Sequence, residues 1–224
     1  MLHRHALFLS VCTLAALWLT PGSSARAAGA TDLTDRLQAR AMLSLADWSA
    51  PAGRPDHDPA HDFDFFYGRW QIHNRRLAKR LQGSHDWIEF EATDDCQPLA
   101  GGIGNHDTYR TSHWPHFVGV TLRLYNPAKR QWALYWVDNA QHPGVLQPPV
   151  VGGFHGKTGL FYGKDTYAGQ AVTVRFTWSI TGPDSAHWEQ AFSTDGGKTW
   201  ETNWVMDMTR LTDAGTAHAG TRAI

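Results

Sequence analysis

Nine of the eleven tryptophans, Trp70, Trp87, Trp114, Trp132, Trp136, Trp178, Trp188, Trp200 and Trp204, fall between residues 61 and 212. So many indoles exceed the demand of an ordinary core. A cavity walled by them suits a flat, hydrophobic or aromatic small molecule. The opposing reading is an interior that the indoles simply fill. A few polar side chains share strand faces with the aromatics: Asn105 and Tyr109, Asp138 two residues beyond Trp136, and Gln190 between Trp188 and Phe192. Sparse polar groups in an apolar pocket orient a ligand. The candidate ligand-binding set is therefore Asn105, Tyr109, Trp136, Trp188, Gln190 and Trp204, set against ordinary satisfaction of wall hydrogen bonds.

Other chemistry finds less support. His57 and His61, with Asp56, Asp58, Asp62 and Asp64, supply zinc-type donors. They sit in a proline-containing stretch that does not preorganise ligands, and His113 and His116 form a weaker pair, so no metal is expected. There is no Gly-x-Ser-x-Gly, no phosphate-cradling glycine loop and no dinucleotide fingerprint. Cys96, before Gln97-Pro98, has no neighbour that marks it as a nucleophile. No catalytic residue and no cofactor are assigned. A cofactor-free cyclase, isomerase or hydrolase stays open as an alternative, and needs an acid or base aimed into the cavity with a shifted pKa.

The elements that must position these residues are strands. From His61 onward, short aromatic and β-branched runs are cut by Gly, Asn and Asp roughly every ten residues, the pattern of an antiparallel barrel or sandwich. Ten segments qualify: 66–77, 86–93, 103–111, 117–125, 131–138, 150–154, 160–165, 171–179, 185–193 and 200–211. Asn126-Pro-Ala-Lys129, His155-Gly156, Ala168-Gly169, Gly182-Pro-Asp184 and Asp195-Gly-Gly197 are tight turns. The segments they join must be antiparallel neighbours. The long connection Asn139–Pro149 reads as a lid over a barrel mouth. Alternation places Val118, Val120, Leu122 and Leu124 on an apolar inner face opposite Thr121 and Arg123. It likewise sets Trp200, Trp204, Met206 and Met208 opposite Glu201, Asn203 and Asp207.

Gly68-Arg-Trp70 in the first segment and Met208-Thr-Arg210 in the last resemble the shared signature of lipocalins and fatty-acid-binding proteins. The resemblance implies that Arg210 stacks over Trp70 and closes the barrel, a cation–π contact within about 6 Å. His61-Asp-Phe-Asp-Phe-Phe-Tyr-Gly-Arg-Trp70, Arg175-Phe-Thr-Trp178, Trp188-Glu-Gln-Ala-Phe-Ser193 and Asn203-Trp204 are similar to small bacterial lipocalin-like proteins of unknown function. That likeness covers about residues 61–211. It implies an all-β, up-and-down calycin-like barrel of eight to ten strands, preceded by a short helix, and no settled activity. Likeness to nitrobindin raises a second alternative, haem held by His106, His155 or His187, with His187 the best placed. Ser193-Thr-Asp195-Gly-Gly197-Lys-Thr-Trp200 also matches the Asp-box hairpin of sialidase propellers, but one copy marks a turn and not a propeller.

Residues 1–27 read as a secretory signal peptide: a weakly basic start, an apolar run over Ala6–Leu19, and Ala25-Arg-Ala27 before the cleavage point. The run is shorter than the roughly 20 residues of a membrane span. Residues 28–60 read as a short helix over 31–48 and a linker, 61–212 as the barrel and 213–224 as a flexible tail. Without Arg4 and Arg26, 18 basic side chains face 21 acidic ones, a net charge of −3. Nucleic acid and anionic membrane are poor partners for such a surface. Cys96 alone remains, so no internal disulfide forms. The expected location is periplasmic or secreted, with no membrane insertion after cleavage.

Overall fold

A computed structural model describes residues 57–212. The signal peptide at 1–27, the helix at 31–48 and the tail at 213–224 lie outside the described residues. Two 3-10 turns, Pro59–His61 and Asp64–Phe66, precede ten strands. These are β1 (Gly68–Leu77), β2 (Trp87–Pro98), β3 (Gly104–Thr111), β4 (Phe117–Asn126), β5 (Gln131–Asp138), β6 (Val150–His155), β7 (Thr158–Tyr167), β8 (Gln170–Gly182), β9 (Ser185–Ser193) and β10 (Glu201–Arg210). Each pairs antiparallel with the next, and β1 pairs with β10, so the sheet is a closed up-and-down barrel. Closure leaves no edge strand. The expected turns make it possible: Ala168 and Gly169 both take positive φ between paired Tyr167 and Gln170, the geometry of a two-residue hairpin.

The strand register sets the interior in layers. Trp70, Ile72, Asn74 and Arg76 of β1 stand beside Arg210, Met208, Met206 and Trp204 of β10. Trp188 and Gln190 of β9 stand beside Met206 and Trp204 on one side and Trp178 and Phe176 of β8 on the other. The expected inner face of β4 is inverted. Phe117, Gly119, Thr121 and Arg123 face inward, while Val118, Val120, Leu122 and Leu124 are half-buried on the outer wall. There Val120 lies beside Val137, Leu122 beside Tyr135 and Leu124 beside Ala133, covering one another. Arg123 tolerates the interior because Asp107 pairs with it and Asn105 Oδ1 accepts its Nη1–H at 3.1 Å. β2 runs five residues past its expected end for a related reason: its acidic stretch turns Asp94 and Cys96 inward.

One end of the barrel is filled from below. Phe63 and Phe66, which precede β1 although the first strand is expected to open at 66, are completely buried, and the Phe63 ring meets Trp132, Phe154, Phe161 and Trp178. Phe66 stacks on Trp70, whose indole N–H donates to the Phe66 carbonyl at 2.8 Å. The Arg210 guanidinium lies 4.3 Å from the Trp70 ring centroid and donates to the carbonyls of Phe65 and Tyr67 and to Asp184. The Asp195 hairpin sits on the outside. Asp195 accepts from Ser193, Lys198 and Thr199, and Trp200 packs against Tyr162 and Arg175.

Candidate functional site

With the lower end occupied, the upper part of the barrel encloses a cavity of about 380 Å³. That volume lies within the range of small-molecule sites. Its walls include Tyr109, Trp136, Phe176, Trp188, Gln190 and Trp204. The connection from β5 to β6 crosses the mouth and lines the cavity through Gln141, His142, Gln147 and Pro148. Asp138 fastens its start by accepting the amides of Ala140 at 2.8 Å and Gln141 at 2.5 Å, and Gln147 N–H returns to the Trp136 carbonyl at 2.8 Å. Burial alone would raise the Asp138 pKa, but the Gln141 and Ala140 amides and the Trp136 indole outweigh it and hold the carboxyl below its usual range.

Five of the six candidate ligand-binding residues, Tyr109, Trp136, Trp188, Gln190 and Trp204, line this one space. Asn105 does not. It is completely buried beside Arg123, toward the filled end, and serves that ion pair. Trp136 depends on Gly119: a Cβ there would stand 2.1 Å from the indole, so the ring lies flat across a strand that has no side chain at that point. Gln190 Nε2 donates to Asn203 Oδ1 at 2.8 Å. Alternation puts Asn203 on the outer face, but the register shift between Thr202 and Trp204 makes it a bulge residue, and it is completely buried.

Three further polar elements lie outside the candidate set. Asn74, completely buried, accepts from the Tyr109 hydroxyl and from the Trp204 indole N–H, each at 3.0 Å, and so fixes two walls with one oxygen. Asp94 lines the cavity opposite Tyr109 in the sheet. Burial first, and the Asp107 carboxylate second, push its pKa well above the ordinary carboxylate value. Arg76 and Arg80 supply two guanidinium groups to the same space.

These two arginines differ from the others inside the barrel. Arg123 and Arg210 each have an acid and carbonyl or amide oxygens as partners. Among the described residues, Arg76 and Arg80 have only aromatic rings as partners. The Arg76 guanidinium carbon is 5.0 Å from the Trp114 centroid and 4.9 Å from that of Trp204, and Arg80 is 5.4 Å from Tyr167 and 5.8 Å from both Phe192 and Trp204. Arg80 is 7% exposed, and among the described residues neither Arg76 Nε nor Arg80 Nη2 has a hydrogen-bond partner. Ring contacts are worth about 0.5–2 kcal/mol each. Removing a cation from water costs several kcal/mol even after relaxation, so stacking offsets the burial only in part. Burial accordingly lowers the Arg76 pKa.

The three histidines considered as haem ligands do not line the cavity. His187 is on the outer wall with both ring nitrogens engaged, by Asp207 at 2.7 Å and Glu189 at 3.2 Å. His106 is on an outward position of β3, and His155 is exposed at the end of β6. His142 does line the cavity, from the mouth connection. His57 pairs with Asp62 and His61 with Asp64, and among the described residues no three His, Cys, Asp or Glu side chains converge on one point. Cys96 is fully buried and burial pushes its thiol up to about 12. Among the described residues no helix is long and apolar enough to cross a membrane.

Two of the missed residues had a signal in the sequence. Counting by twos from Trp70 places Asn74 and Arg76 on the same inward face as Ile72. Arg80 belongs to the β1–β2 connection and reaches the cavity only because that connection folds over the mouth, which no periodicity marks. No protein-family model matches this chain, and no curated protein matches it at a significant level.

Proposed function

We propose that this protein is an exported binding protein that holds a small molecule with a hydrophobic or aromatic body inside the barrel. The observation that carries the reading is the enclosed space of about 380 Å³ between Trp136, Trp188 and Trp204: the indoles line a volume and do not fill it. The filled lower end, with Phe63 and Phe66 at zero exposure, gives the contrast of an occupied interior in the same molecule. Export is supported by the apolar run at 6–19 and the Ala25-Arg-Ala27 stretch, and the Gly68-Arg-Trp70 and Arg210 pair supports kinship with lipocalin-like barrels. The test is calorimetric and fluorimetric titration with 2-naphthylmethanol, a neutral two-ring probe. One probe per chain with Kd on the order of 10–100 μM is expected from its size, together with a saturable change in tryptophan emission. No saturable binding of neutral or charged aromatic probes would overturn the proposal.

A second reading, a cofactor-free cyclase, isomerase or hydrolase in the same cavity, is favoured by Asp94. An acid whose carboxyl is pushed well above its ordinary range by burial and a neighbouring carboxylate, and which lines the ligand space, has the properties sought in a general acid. Mass-spectrometric comparison of a small-molecule extract incubated with the wild type and with Asp94→Asn separates the two. A product made only by the wild type supports catalysis, whereas identical extracts, with probe binding retained in the variant, support binding alone.

A further inference from the structure

The cavity is apolar on most of its wall yet carries two guanidinium groups that form no ion pair among the described residues. Arg76 projects from the inward face of β1 in register with Trp204, and Arg80 folds in from the β1–β2 connection to the same indole. The position of Arg80 is built: the Leu81 amide donates to Glu201 Oε1 at 2.7 Å, which ties the connection to β10. Glu201 makes no ion pair with Arg80. The carboxylates on the cavity wall are engaged as well. Asp138 holds the amides of the mouth connection, and Asp165 Oδ1 accepts the Thr166 amide at 2.7 Å. Burial favours the neutral form of Asp94. Guanidinium groups are rarely buried without a partner. Here each keeps one buried N–H without a hydrogen-bond partner among the described residues, Arg76 Nε and Arg80 Nη2, and both side chains line the cavity.

We infer that the missing partner is the ligand itself: an aromatic carboxylic acid, bound as its anion, with the carboxylate at Arg76 and Arg80 and the ring system among Trp136, Trp188 and Trp204. A carboxylate offers an in-plane oxygen pair that accepts two N–H bonds from a guanidinium fork, and charge-assisted bonds of this kind are the strong ones. The apolar remainder of the ligand takes the indole-lined space below the mouth. This rests on the binding reading above and narrows it from any apolar molecule to an amphiphilic acid.

The test compares 2-naphthoate, ionised at neutral pH, with 2-naphthylmethanol, nearly the same shape without the charge, by calorimetry. The wild type is expected to prefer the acid by about tenfold or more, equivalent to about 1.4 kcal/mol. In Arg76→Gln/Arg80→Gln the acid is expected to lose its advantage over the alcohol, and circular dichroism reports that the barrel is folded. Should the double variant not fold, Arg80→Gln alone, in a connection and not a strand, is expected to lose the acid preference several-fold, and Arg80→Lys to keep part of it. Equal affinity for the two probes in the wild type would overturn the inference and leave the binding reading standing. A preference that survives the double variant would also overturn it, since the anion would then sit elsewhere. Binding of neither probe would overturn both.

Discussion

Gly119→Ala tests whether the cavity wall is as tightly determined as the geometry indicates. The added Cβ would stand 2.1, 2.3 and 3.0 Å from Trp136 Cη2, Cζ2 and Cζ3. Carbon atoms in contact rest about 3.5–4.0 Å apart, so the indole must withdraw by roughly 1.5 Å. The Gly119 backbone is not in the left-handed region, so alanine adds no backbone strain and the effect is steric. Trp136 Nε1 also donates to Asp138 Oδ2 at 3.0 Å, and withdrawal of the ring breaks that bond. Overpacking costs about 1–3 kcal/mol, and a hydrogen bond to a charged group about 1.5–3 kcal/mol. A destabilisation of about 2–5 kcal/mol is expected, or a fall in Tm of roughly 5–15 °C for a domain of this size. The displaced ring moves into the ligand space, so affinity for 2-naphthylmethanol should drop at least about tenfold, near 1.4 kcal/mol. The assays are thermal unfolding by circular dichroism and calorimetric titration. Trp136→Leu in the same chain should relieve the clash, giving a non-additive double-mutant cycle. A Gly119→Ala protein with unchanged Tm and unchanged probe affinity would refute the placement of Trp136 and with it the shape of the cavity.

Three further outcomes are expected. Asn74→Leu strands two buried donors, the Tyr109 hydroxyl and the Trp204 indole N–H, and should destabilise the barrel by about 2–5 kcal/mol in urea unfolding with a shift in tryptophan emission. Cys96, buried with its thiol raised to about 12, should resist thiol reagents at pH 8 until urea unfolds the chain, and prompt modification of the native protein would contradict its position. Burial alone would lower the His187 pKa, but hydrogen bonds to Asp207 and Glu189 outweigh it and raise the folded value above 6.5. The stabilisation is then complete below pH 6.5 and lost as pH rises through the folded value. His187→Ala should therefore lower Tm more at pH 5.5 than at pH 8.5, by an amount corresponding to less than about 1 kcal/mol, and an equal loss at both pH values would contradict the bridge.

By itself the sequence determined the elements and their order. Ten runs of aromatic and β-branched residues, cut by Gly-, Asn- and Asp-containing turns, point to an antiparallel barrel or sandwich, and ten strands form there, closed as a barrel. Local chemistry was legible for the same reason: Ala168-Gly169 and Asp195-Gly-Gly197 carry their turn geometry within a few residues. Five of the six candidate ligand-binding residues do line the cavity, because indoles and the polar groups alternating with them mark a wall. What only the tertiary structure decided is which face of β4 points inward and where charge is buried. Hydrophobic alternation identifies the inner face when buried groups are apolar. It fails where Arg123 and Asp107 neutralise each other across neighbouring strands, since the pair makes a charged face cheaper to bury than its spacing implies. Arg80 was invisible for a different reason. Its role arises from a connection tied by Glu201, 120 residues away, and from rings contributed by β7, β9 and β10, a conjunction that exists only once the sheet has closed.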